Sequence, residues 1–248
     1  MLKFALAGNP NSGKTTLFNA LTGSSAHVGN WPGVTVDKRE GIYKKGAQPV
    51  DVVDLPGIYS LSPYTPEEVI ARNFVLDERP DCVVNIVDAT NLERNLYLTT
   101  QLMELDIPLV VALNMTDVLE KSGERIDAKL LEKRMGVPVV EISALKDTNT
   151  DLLMKRAVET AKNKREGSSV LRTSGLGSAV AHAEKLLKSA GVPAPLFHAV
   201  KLVEKDELEV KSHPSGAAEV ERYLKANDYE NGEFGGDSEA EIADARYK

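Results

Sequence analysis

The sequence predicts an α/β protein in which a mostly parallel sheet is flanked by helices and followed by a small all-helical domain. Two patterns predict this fold. Over the first two-thirds of the 248 residues, short apolar runs alternate with segments of helical periodicity. The runs are almost continuously apolar, as strands covered on both faces require. In the last third, apolar residues recur at helical spacing and no further strand is predicted.

Six strands are predicted. Apolar runs mark five of them, at residues 2–7, 50–53, 82–87, 109–113 and 139–142. Residues 39–43 form a sixth, which a turn at 44–46 allows to pair with 50–53 as a hairpin. Because helical segments lie between the other strands, the sheet is expected to be mainly parallel. These helices are predicted to begin near Gly13, Glu67, Asn91, Asp127 and Asp147.

A polar stretch at 162–169 separates two predicted domains, 1–165 and 166–248. The tail from Glu230, which includes Gly232, is rich in glycine and is expected to be loosely ordered. No chemical constellation is recognisable in the second domain, and its charged run at 204–207 is interpreted as a solvated face. Its helical patterns lie at 179–190, 195–204 and 217–226.

Composition narrows the class of protein. The formal net charge of −7 argues against a nucleic-acid partner, because binding to phosphate backbones requires a basic face. The single cysteine, Cys82, excludes an internal disulfide and is interpreted as a small buried hydrophobe. No stretch approaches the roughly 20 apolar residues that cross a bilayer. A soluble cytosolic chain is therefore expected.

The first motif lies between a predicted strand and a predicted helix, where residues 8–15 match G-x-x-x-x-G-K-[ST]. In such a loop, backbone N–H groups surround the phosphates of a nucleotide. Lys14 is then expected to reach the outer phosphates, and the Thr15 hydroxyl to bind Mg²⁺. The position between strand and helix distinguishes this loop from an ordinary glycine turn.

Further motifs follow later strands. Asp54 begins Asp-Leu-Pro-Gly, in which the carboxylate can hold Mg²⁺ and the Gly57 N–H can donate to a terminal phosphate. Asn114-Met-Thr-Asp117 closes another strand, and Asp117 can accept both N–H groups on the guanine edge, which adenine lacks. A backbone N–H in 143–145 is expected to meet the guanine oxygen. Each motif is weak alone, but their order predicts a guanine-nucleotide site.

The order of the motifs is that of Ras-like P-loop GTPases, and several stretches resemble one family, the ferrous iron transporter B (FeoB) proteins. The most specific are Gly-Asn-Trp-Pro-Gly-Val-Thr at 29–35 and Asn-Leu-Glu-Arg-Asn-Leu-Tyr-Leu at 91–98. The resemblance covers residues 1–165 strongly and the helical part more weakly. Other matching segments are 8–16, 54–61 and 112–115.

The resemblance implies a slow GTPase stimulated by K⁺. Thr35 would close over Mg²⁺ and the terminal phosphate, while Asn11 and backbone carbonyls near Gly29 and Trp31 would hold K⁺. The cation would supply the charge of an arginine finger, which can be worth about 10³–10⁵ in rate. The alternative is that Asn11 only braces the loop.

The motifs and the resemblance together predict three sets of site residues. The catalytic set is Asn11, Lys14, Thr35 and Gly57. The nucleotide-binding set is Gly8, Asn9, Pro10, Asn11, Ser12, Gly13, Lys14, Thr15, Thr16, Asn114, Met115, Asp117, Ser143, Ala144 and Leu145. The metal ligands are Thr15, Thr35 and Asp54 for Mg²⁺, and Asn11, Gly29 and Trp31 for K⁺.

Two positions depart from the Ras pattern. Ile58 stands where Ras-like proteins place a glutamine that orients the attacking water, which an isoleucine cannot do. Backbone groups of Thr35 and Gly57 would then position the water, with Glu67 as the alternative, although a glutamate at a helix start usually serves the helix dipole. Met115 replaces a lysine that packs along the base in many GTPases. This replacement predicts micromolar nucleotide affinity and fast nucleotide exchange.

Two side chains of the predicted switch loop have less specific interpretations. Trp31 is the single tryptophan, and it is interpreted as an anchor that moves with the nucleotide state. His27 is interpreted as an exposed histidine rather than as a ligand or a general base.

The resemblance also implies a biological setting. The chain would be the GTPase module of a Fe²⁺ transporter, on the cytoplasmic side of the cell (inner) membrane, with the membrane-spanning region of that transporter as its partner. The helical domain would stabilise the GDP-bound state, and homo-oligomer formation is left open. The alternatives are a stand-alone GTPase in ribosome assembly, which the acidic charge disfavours, and a signalling module. A reading frame that continued past Lys248 into apolar stretches of about 20 residues would favour the transporter.

Overall fold

A computed structural model describes residues 1–23, 26–231 and 234–248. These residues form two compact units, one made of 1–99 and 107–165 and the other of 100–106 and 166–248. Each unit contains its own cluster of buried apolar side chains.

The first unit is built on one sheet, which has seven strands among the described residues in the order β2-β3-β4-β1-β5-β6-β7. Pairing is parallel from β4 through β1, β5 and β6 to β7, and antiparallel between β2, β3 and β4. The strands are β1 (Leu2–Gly8), β2 (His27–Asn30), β3 (Asp37–Tyr43), β4 (Val50–Asp54), β5 (Cys82–Asp88), β6 (Leu109–Asn114) and β7 (Val139–Glu141).

The predicted α/β fold and the β3–β4 hairpin are confirmed, with one strand more than the six predicted. Strand β2 was missed because all four of its residues are exposed and carry no apolar pattern. Among the described strands it pairs only with β3, at the edge of the sheet. Edge strands with exposed faces give little hydrophobic signal in a sequence.

Five helices of the first unit begin within three residues of their predicted starts, whereas α4 was not predicted. Thr65 and Glu68 form a reciprocal capping box at the start of α2, with Pro66 in the first turn. Asp127 caps α5, which ends at Gly136 in the left-handed conformation (φ 67°). The helices are α1 (Lys14–Thr22), α2 (Pro66–Asn73), α3 (Leu92–Met103), α4 (Thr116–Lys121), α5 (Ala128–Met135) and α6 (Thr150–Ala161). The last four residues of α3 belong to the second unit.

The core of the first unit lies where β1 meets α1. Phe4 and Leu6 of β1 are completely buried, as are Leu17 and Phe18 of α1. Cys82 also lies in this core, and burial raises the pKa of its thiol. The interpretation of Cys82 as a small buried hydrophobe is therefore confirmed.

The second unit is helical, as predicted. Val180, Val200 and Ile242 are completely buried in its core. No helix in the described part of the chain combines the length and the apolarity needed to cross a bilayer. The helices are α7 (Gly177–Ser189), α8 (Pro195–Val203), α9 (Glu207–Ser212), α10 (Pro214–Ala226) and α11 (Ser238–Tyr247).

Two expectations for the second unit were wrong in part. The tail is not loosely ordered over α11, because Asp237 caps this helix through the Ala240 N–H and Ile242 is buried; Gly232 lies outside the described residues. The charged run at 204–207 is only partly a solvated face, since Lys205 and Glu207 are exposed. It connects α8 to α9, and Asp206 is buried because its carboxylate caps α9.

Candidate functional site

The predicted motifs converge because parallel strands place their carboxyl ends at one edge of a sheet. Strands β1, β4, β6 and β7 are parallel to one another or joined through parallel neighbours. The P-loop, residues 8–15, follows β1, and the Asp54 motif ends β4. The Asn114 motif ends β6, and residues 143–145 follow β7.

Two glycines of the P-loop are required by close approaches of neighbouring atoms. A Cβ on Gly8 would lie 2.6 Å from the Ile86 carbonyl oxygen and 2.9 Å from Ser12 Oγ. A Cβ on Gly13, which has φ +91°, would lie 2.2 Å from Asn114 Nδ2. Asn11 also has a positive φ, 66°, a conformation that asparagine tolerates better than most residues. The sequence therefore determines a narrow backbone cradle here.

Asn114 connects two loops of the site. Its Nδ2 donates to the Ser12 carbonyl at 2.9 Å, and its Oδ1 accepts from the Ala144 N–H at 3.0 Å. The side chain is buried, so both bonds form away from water. Asn114 was predicted as a nucleotide-binding residue, and the structure gives it the role of holding the P-loop and the 143–145 loop in register.

Lys14 and Asp54 form a buried ion pair, with Lys14 Nζ 2.5 Å from Asp54 Oδ1. Burial raises the pKa of the Asp54 carboxyl, and the Lys14 ammonium opposes this shift. The loop after Asp54 is held to the P-loop, since the Ile58 N–H donates to the Gly8 carbonyl at 3.2 Å. A Cβ on Gly57 would lie within 3.3 Å of Pro10.

The side chain at position 58 is directed into the protein. Ile58 is only 2% exposed and is among the largest fully buried side chains of the chain. An apolar side chain in this position contributes to packing and cannot hold a water molecule by a hydrogen bond. The departure from the Ras pattern therefore has a structural reason.

Asp117 is held by a residue that the sequence analysis did not identify. Lys146 Nζ lies 2.6 Å from Asp117 Oδ2. This hydrogen bond, helped by the Ser143 hydroxyl, keeps the pKa of Asp117 below its ordinary value, so the carboxylate stays ionised. Met115 adopts the left-handed conformation (φ 64°) just before α4, and Leu145 is 85% exposed. In the sequence, the role of Lys146 was indicated only by its position directly after the Ser-Ala-Leu stretch at 143–145.

The predicted switch residues lie apart from these loops. Gly29 belongs to β2 and is paired with Lys38, and Thr35 is exposed in the loop between β2 and β3. Trp31 is 8% exposed and packs edge-on against Phe74, with ring centroids 5.5 Å apart. In the described residues, no hydrogen bond joins 29–36 to the P-loop. Trp31 is an anchor here, and its mobility stays a prediction.

The side chains around the cradle suit the groups expected there. Asn11, Thr15 and Thr16 are exposed at the P-loop and the first turn of α1. The Thr15 hydroxyl and the Asp54 carboxylate are oxygen donors of the kind that Mg²⁺ takes. Asn11 has no hydrogen-bond partner among the described residues, so its amide oxygen is available to a ligand.

Comparison with known proteins supports the resemblance seen in the motifs. Residues 2–157 match the family described as ferrous iron transport protein B. The Fe(2+) transporter FeoB of Escherichia coli (strain K12) is 48% identical over 165 residues, 65% of this chain and 21% of its own length. A Fe(2+) transport protein A/FeoB fusion protein of Porphyromonas gingivalis is 51% identical over 141 residues, 56% of this chain and 17% of the fusion. The chain spans about a fifth of such relatives.

Solved structures match over the whole chain. The chain named NFeoB from S. thermophilus, bound to GDP·AlF4⁻ and K⁺, is 43% identical with a TM-score of 0.86, and the match covers 100% of this chain and 96% of that one. The cytosolic domain of L. pneumophila FeoB is 37% identical with a TM-score of 0.84, over 99% and 94% of the two chains. The chain belongs to the ferrous iron transport protein B family, and it has the fold of that family's GTPase domain.

Proposed function

We propose that this chain binds GTP with Mg²⁺ and hydrolyses it slowly to GDP and phosphate. The observation that carries the proposal is the direct connection of three loops at one sheet edge, made by the hydrogen bonds of Asn114 to Ser12 and Ala144. The likeness to the S. thermophilus chain bound to GDP·AlF4⁻ supports it.

The proposed chemistry relies on positioning and charge. Lys14 and the P-loop N–H groups bind the outer phosphates, and Thr15 and Asp54 hold Mg²⁺, which neutralises charge on the phosphates when bound. The Lys14–Asp54 ion pair must separate before Lys14 can bind phosphate and Asp54 can hold Mg²⁺, because the two side chains now bind each other. Backbone groups of Thr35 and Gly57 position the attacking water once Thr35 closes over the site.

Glu67 is the alternative group for positioning the water. The reciprocal capping of α2 is made by Thr65 and Glu68, not by Glu67. Glu67 lies in the first turn and is partly buried. It is therefore not needed for the cap, and it stays a candidate beside the backbone groups.

Guanine selectivity is proposed to rest on Asp117, whose ionised carboxylate accepts from the two N–H groups of the base. Asp117→Asn is expected to weaken GTP binding by up to about 10⁴-fold. The asparagine NH₂ would face an N–H group of guanine, and two donors cannot form a hydrogen bond. The same variant is expected to bind xanthosine triphosphate better, because xanthine carries a carbonyl at that position. Competition between GTP and xanthosine triphosphate measures both effects.

Asp147→Asn is the matched control for this experiment. The Asp147 carboxylate also pairs with a lysine, Lys45, but Asp147 belongs to none of the predicted nucleotide contacts. We expect its GTP affinity to be unchanged. Equal GTP affinity in the Asp117 and Asp147 variants would contradict guanine recognition by Asp117.

Stimulation by K⁺ is proposed to depend on Asn11. The exposed Asn11 side chain has no described partner, and the similar S. thermophilus chain is bound to K⁺. An arginine finger can raise the rate of GTP hydrolysis about 10³–10⁵-fold. We expect hydrolysis in K⁺ to be at least about tenfold faster than in Na⁺. GTP turnover in K⁺ and Na⁺ buffers measures this ratio. In Asn11→Ala and Asn11→Gly, the two rates are expected to be equal.

The two Asn11 variants separate the side chain from the backbone conformation. Glycine keeps the left-handed conformation that φ 66° requires, whereas alanine strains it. Asn149→Ala is the control, because Asn149 also has a positive φ, 59°, outside the P-loop. Turnover that is equal in K⁺ and Na⁺ for the unmodified chain would rule out the K⁺ proposal.

We also propose that the chain is the GTPase module of a Fe²⁺ transporter, on the cytoplasmic side of the membrane, with that transporter's membrane-spanning region as its partner. The names of its relatives support this, and the chain spans only about a fifth of their length. Apolar stretches of about 20 residues encoded after Lys248 would agree with this proposal. A stop codon there would leave the GTPase alone.

A further inference from the structure

Three side chains of the helical unit converge at one point. They are His198 of α8, Glu209 of α9, and His213 at the junction of α9 and α10. His198 Nδ1 lies 2.8 Å from Glu209 Oε2, and His213 Nε2 lies 3.7 Å from the same oxygen. One nitrogen from each imidazole and one carboxylate oxygen all lie within 4.8 Å of one another.

Two imidazoles and a carboxylate are the donor set of many sites for divalent transition metals. Bonds of about 2.0–2.2 Å to such an ion place neighbouring ligand atoms about 3.0–3.5 Å apart. The separations of 2.8 and 3.7 Å lie on either side of this range. Each histidine therefore needs only a small side-chain rotation to share one ion with Glu209.

We propose that His198, Glu209 and His213 form a binding site for one divalent first-row transition-metal ion, such as Fe²⁺ or Zn²⁺. The site supplies three protein ligands and leaves the remaining coordination positions to water. It lies entirely in the helical unit and does not rest on the proposed GTP hydrolysis. A bound ion joins α8 to the α9–α10 junction.

The local structure prepares Glu209 for this role. Asp206 accepts from the Glu209 N–H at 3.1 Å and caps α9, so the first turn that carries Glu209 is fixed. Glu209 and His213 are four residues apart, which places both on one face of the helix.

Exposure allows an ion to enter. The Glu209 side chain is 4% exposed, whereas those of His198 and His213 are 14% and 25% exposed. The two imidazole rings are 5.2 Å apart between centroids and lie at 70° to each other, so neither ring covers the other. The carboxylate thus forms the floor of the site, and the histidines form its partly open rim.

The same unit contains a histidine that serves as a matched control. His182 lies 3.7 Å from a single carboxylate, that of Glu219, and its ring stacks on Tyr223 with centroids 4.3 Å apart. It belongs to no group of three candidate ligands among the described residues. His182→Ala therefore removes a histidine paired with a carboxylate without touching the proposed site.

The test is metal titration of the intact chain after removal of metals with a chelator. Co²⁺ is the first probe, because its visible absorption reports coordination by nitrogen and oxygen ligands; Zn²⁺ and, without oxygen, Fe²⁺ follow by calorimetry. We expect one equivalent per chain, with Zn²⁺ binding more tightly than Fe²⁺. His198→Ala and His213→Ala should each weaken binding at least about 100-fold, as loss of a ligand exceeds the 10–100-fold cost of losing an outer partner.

Two measurements keep the result interpretable. Far-ultraviolet circular dichroism verifies that each variant is folded, and His213→Ala is the safer variant because His213 is the most exposed of the three. Zn²⁺ should raise the melting temperature of the unmodified chain and of His182→Ala, but not that of His213→Ala. The proposal is overturned if no saturable one-to-one binding is found, or if the His198 and His213 variants bind as tightly as His182→Ala.

Discussion

Replacing Lys14 with methionine is expected to slow GTP hydrolysis at least about 100-fold, the loss typical when one donor to a developing negative charge is removed. Lys14 begins α1 directly after Gly13 in the loop where the phosphates are proposed to bind, and its ammonium pairs there with Asp54. Release of phosphate at saturating GTP measures the effect. Methionine keeps the length and packing of the side chain but removes its charge.

The same substitution is expected to lower the stability of the first unit. It removes the partner of Asp54, whose side chain is 5% exposed, and breaking a buried ion pair from one side costs about 3–5 kcal/mol. Burial already raises the pKa of the Asp54 carboxyl above its ordinary value. A carboxyl whose folded-state pKa is raised stabilises the fold below its unfolded pKa and loses that contribution as the pH rises. The variant should therefore regain stability at acidic pH.

Two further variants separate these effects. Lys14→Met combined with Asp54→Asn removes the unpaired charge, so stability should return while hydrolysis stays slow. Lys45→Met is the control for losing an exposed ion pair, since Lys45 and Asp147 are each 51% exposed, and it should cost at most about 1 kcal/mol. Denaturant unfolding at neutral and acidic pH measures each case. Full activity in Lys14→Met would contradict the proposed phosphate contact.

The convergence of the predicted motifs at one sheet edge could be predicted from the sequence because each motif is local. Gly13 and Lys14 lie in one short loop, and Asp54, Asn114 and Asp117 end or follow strands that a parallel sheet must bring to one edge. Spacing along the chain therefore determined position in space. Recognising each short motif needed no knowledge of packing.

What the sequence missed depends on partners far along the chain or on exposed surface. The amide of Asn114 could be assigned to the base, but only the fold shows that it bridges Ser12 and Ala144. Lys146 pairs with Asp117 through a turn whose shape no motif describes. Strand β2 has no buried face, so periodicity could not reveal it. In each case the missing information was tertiary contact.

The helical unit was least predictable, and the metal-ligand cluster shows why. His198 lies eleven residues before Glu209, on a different helix, and this spacing matches no common metal motif. Asp206 was interpreted as part of a solvated face because acidic residues are mostly exposed, and Glu209 was not singled out. Their burial follows from capping and from pairing with histidines, which only the packing of α8 against α9 reveals.

A buried ion pair of the helical unit carries the second large expected effect. Arg246 of α11 and Glu104, which follows α3, are both 0% exposed, with Arg246 Nη2 3.0 Å from Glu104 Oε2. Glu104 Oε1 also accepts from the Ser169 hydroxyl at 2.8 Å, and Arg246 Nη1 donates to Thr100 Oγ1 at 3.0 Å. Burial raises the pKa of Glu104, and Arg246 opposes this shift. The network ties residues 100–106 to both ends of the helical segment.

Arg246→Ala is expected to destabilise the helical unit by about 3–5 kcal/mol, because it leaves the Glu104 carboxylate buried without its main counter-charge. Lys248→Ala is the matched control, since Lys248 forms an ion pair with Asp244 near the end of the same helix but is 70% exposed; its effect should stay within about 0.5 kcal/mol. Denaturant unfolding followed by circular dichroism measures both variants.

The double variant Arg246→Met with Glu104→Leu separates the charge from the packing. Apolar replacement of a whole buried pair is often neutral or stabilising by about 1–4 kcal/mol, so much of the lost stability should return. If Arg246→Ala were no more destabilising than Lys248→Ala, α11 would not be held by this pair. If the double variant were as unstable as Arg246→Ala, geometry rather than unpaired charge would account for the loss, and the network to Ser169 and Thr100 would be what α11 needs.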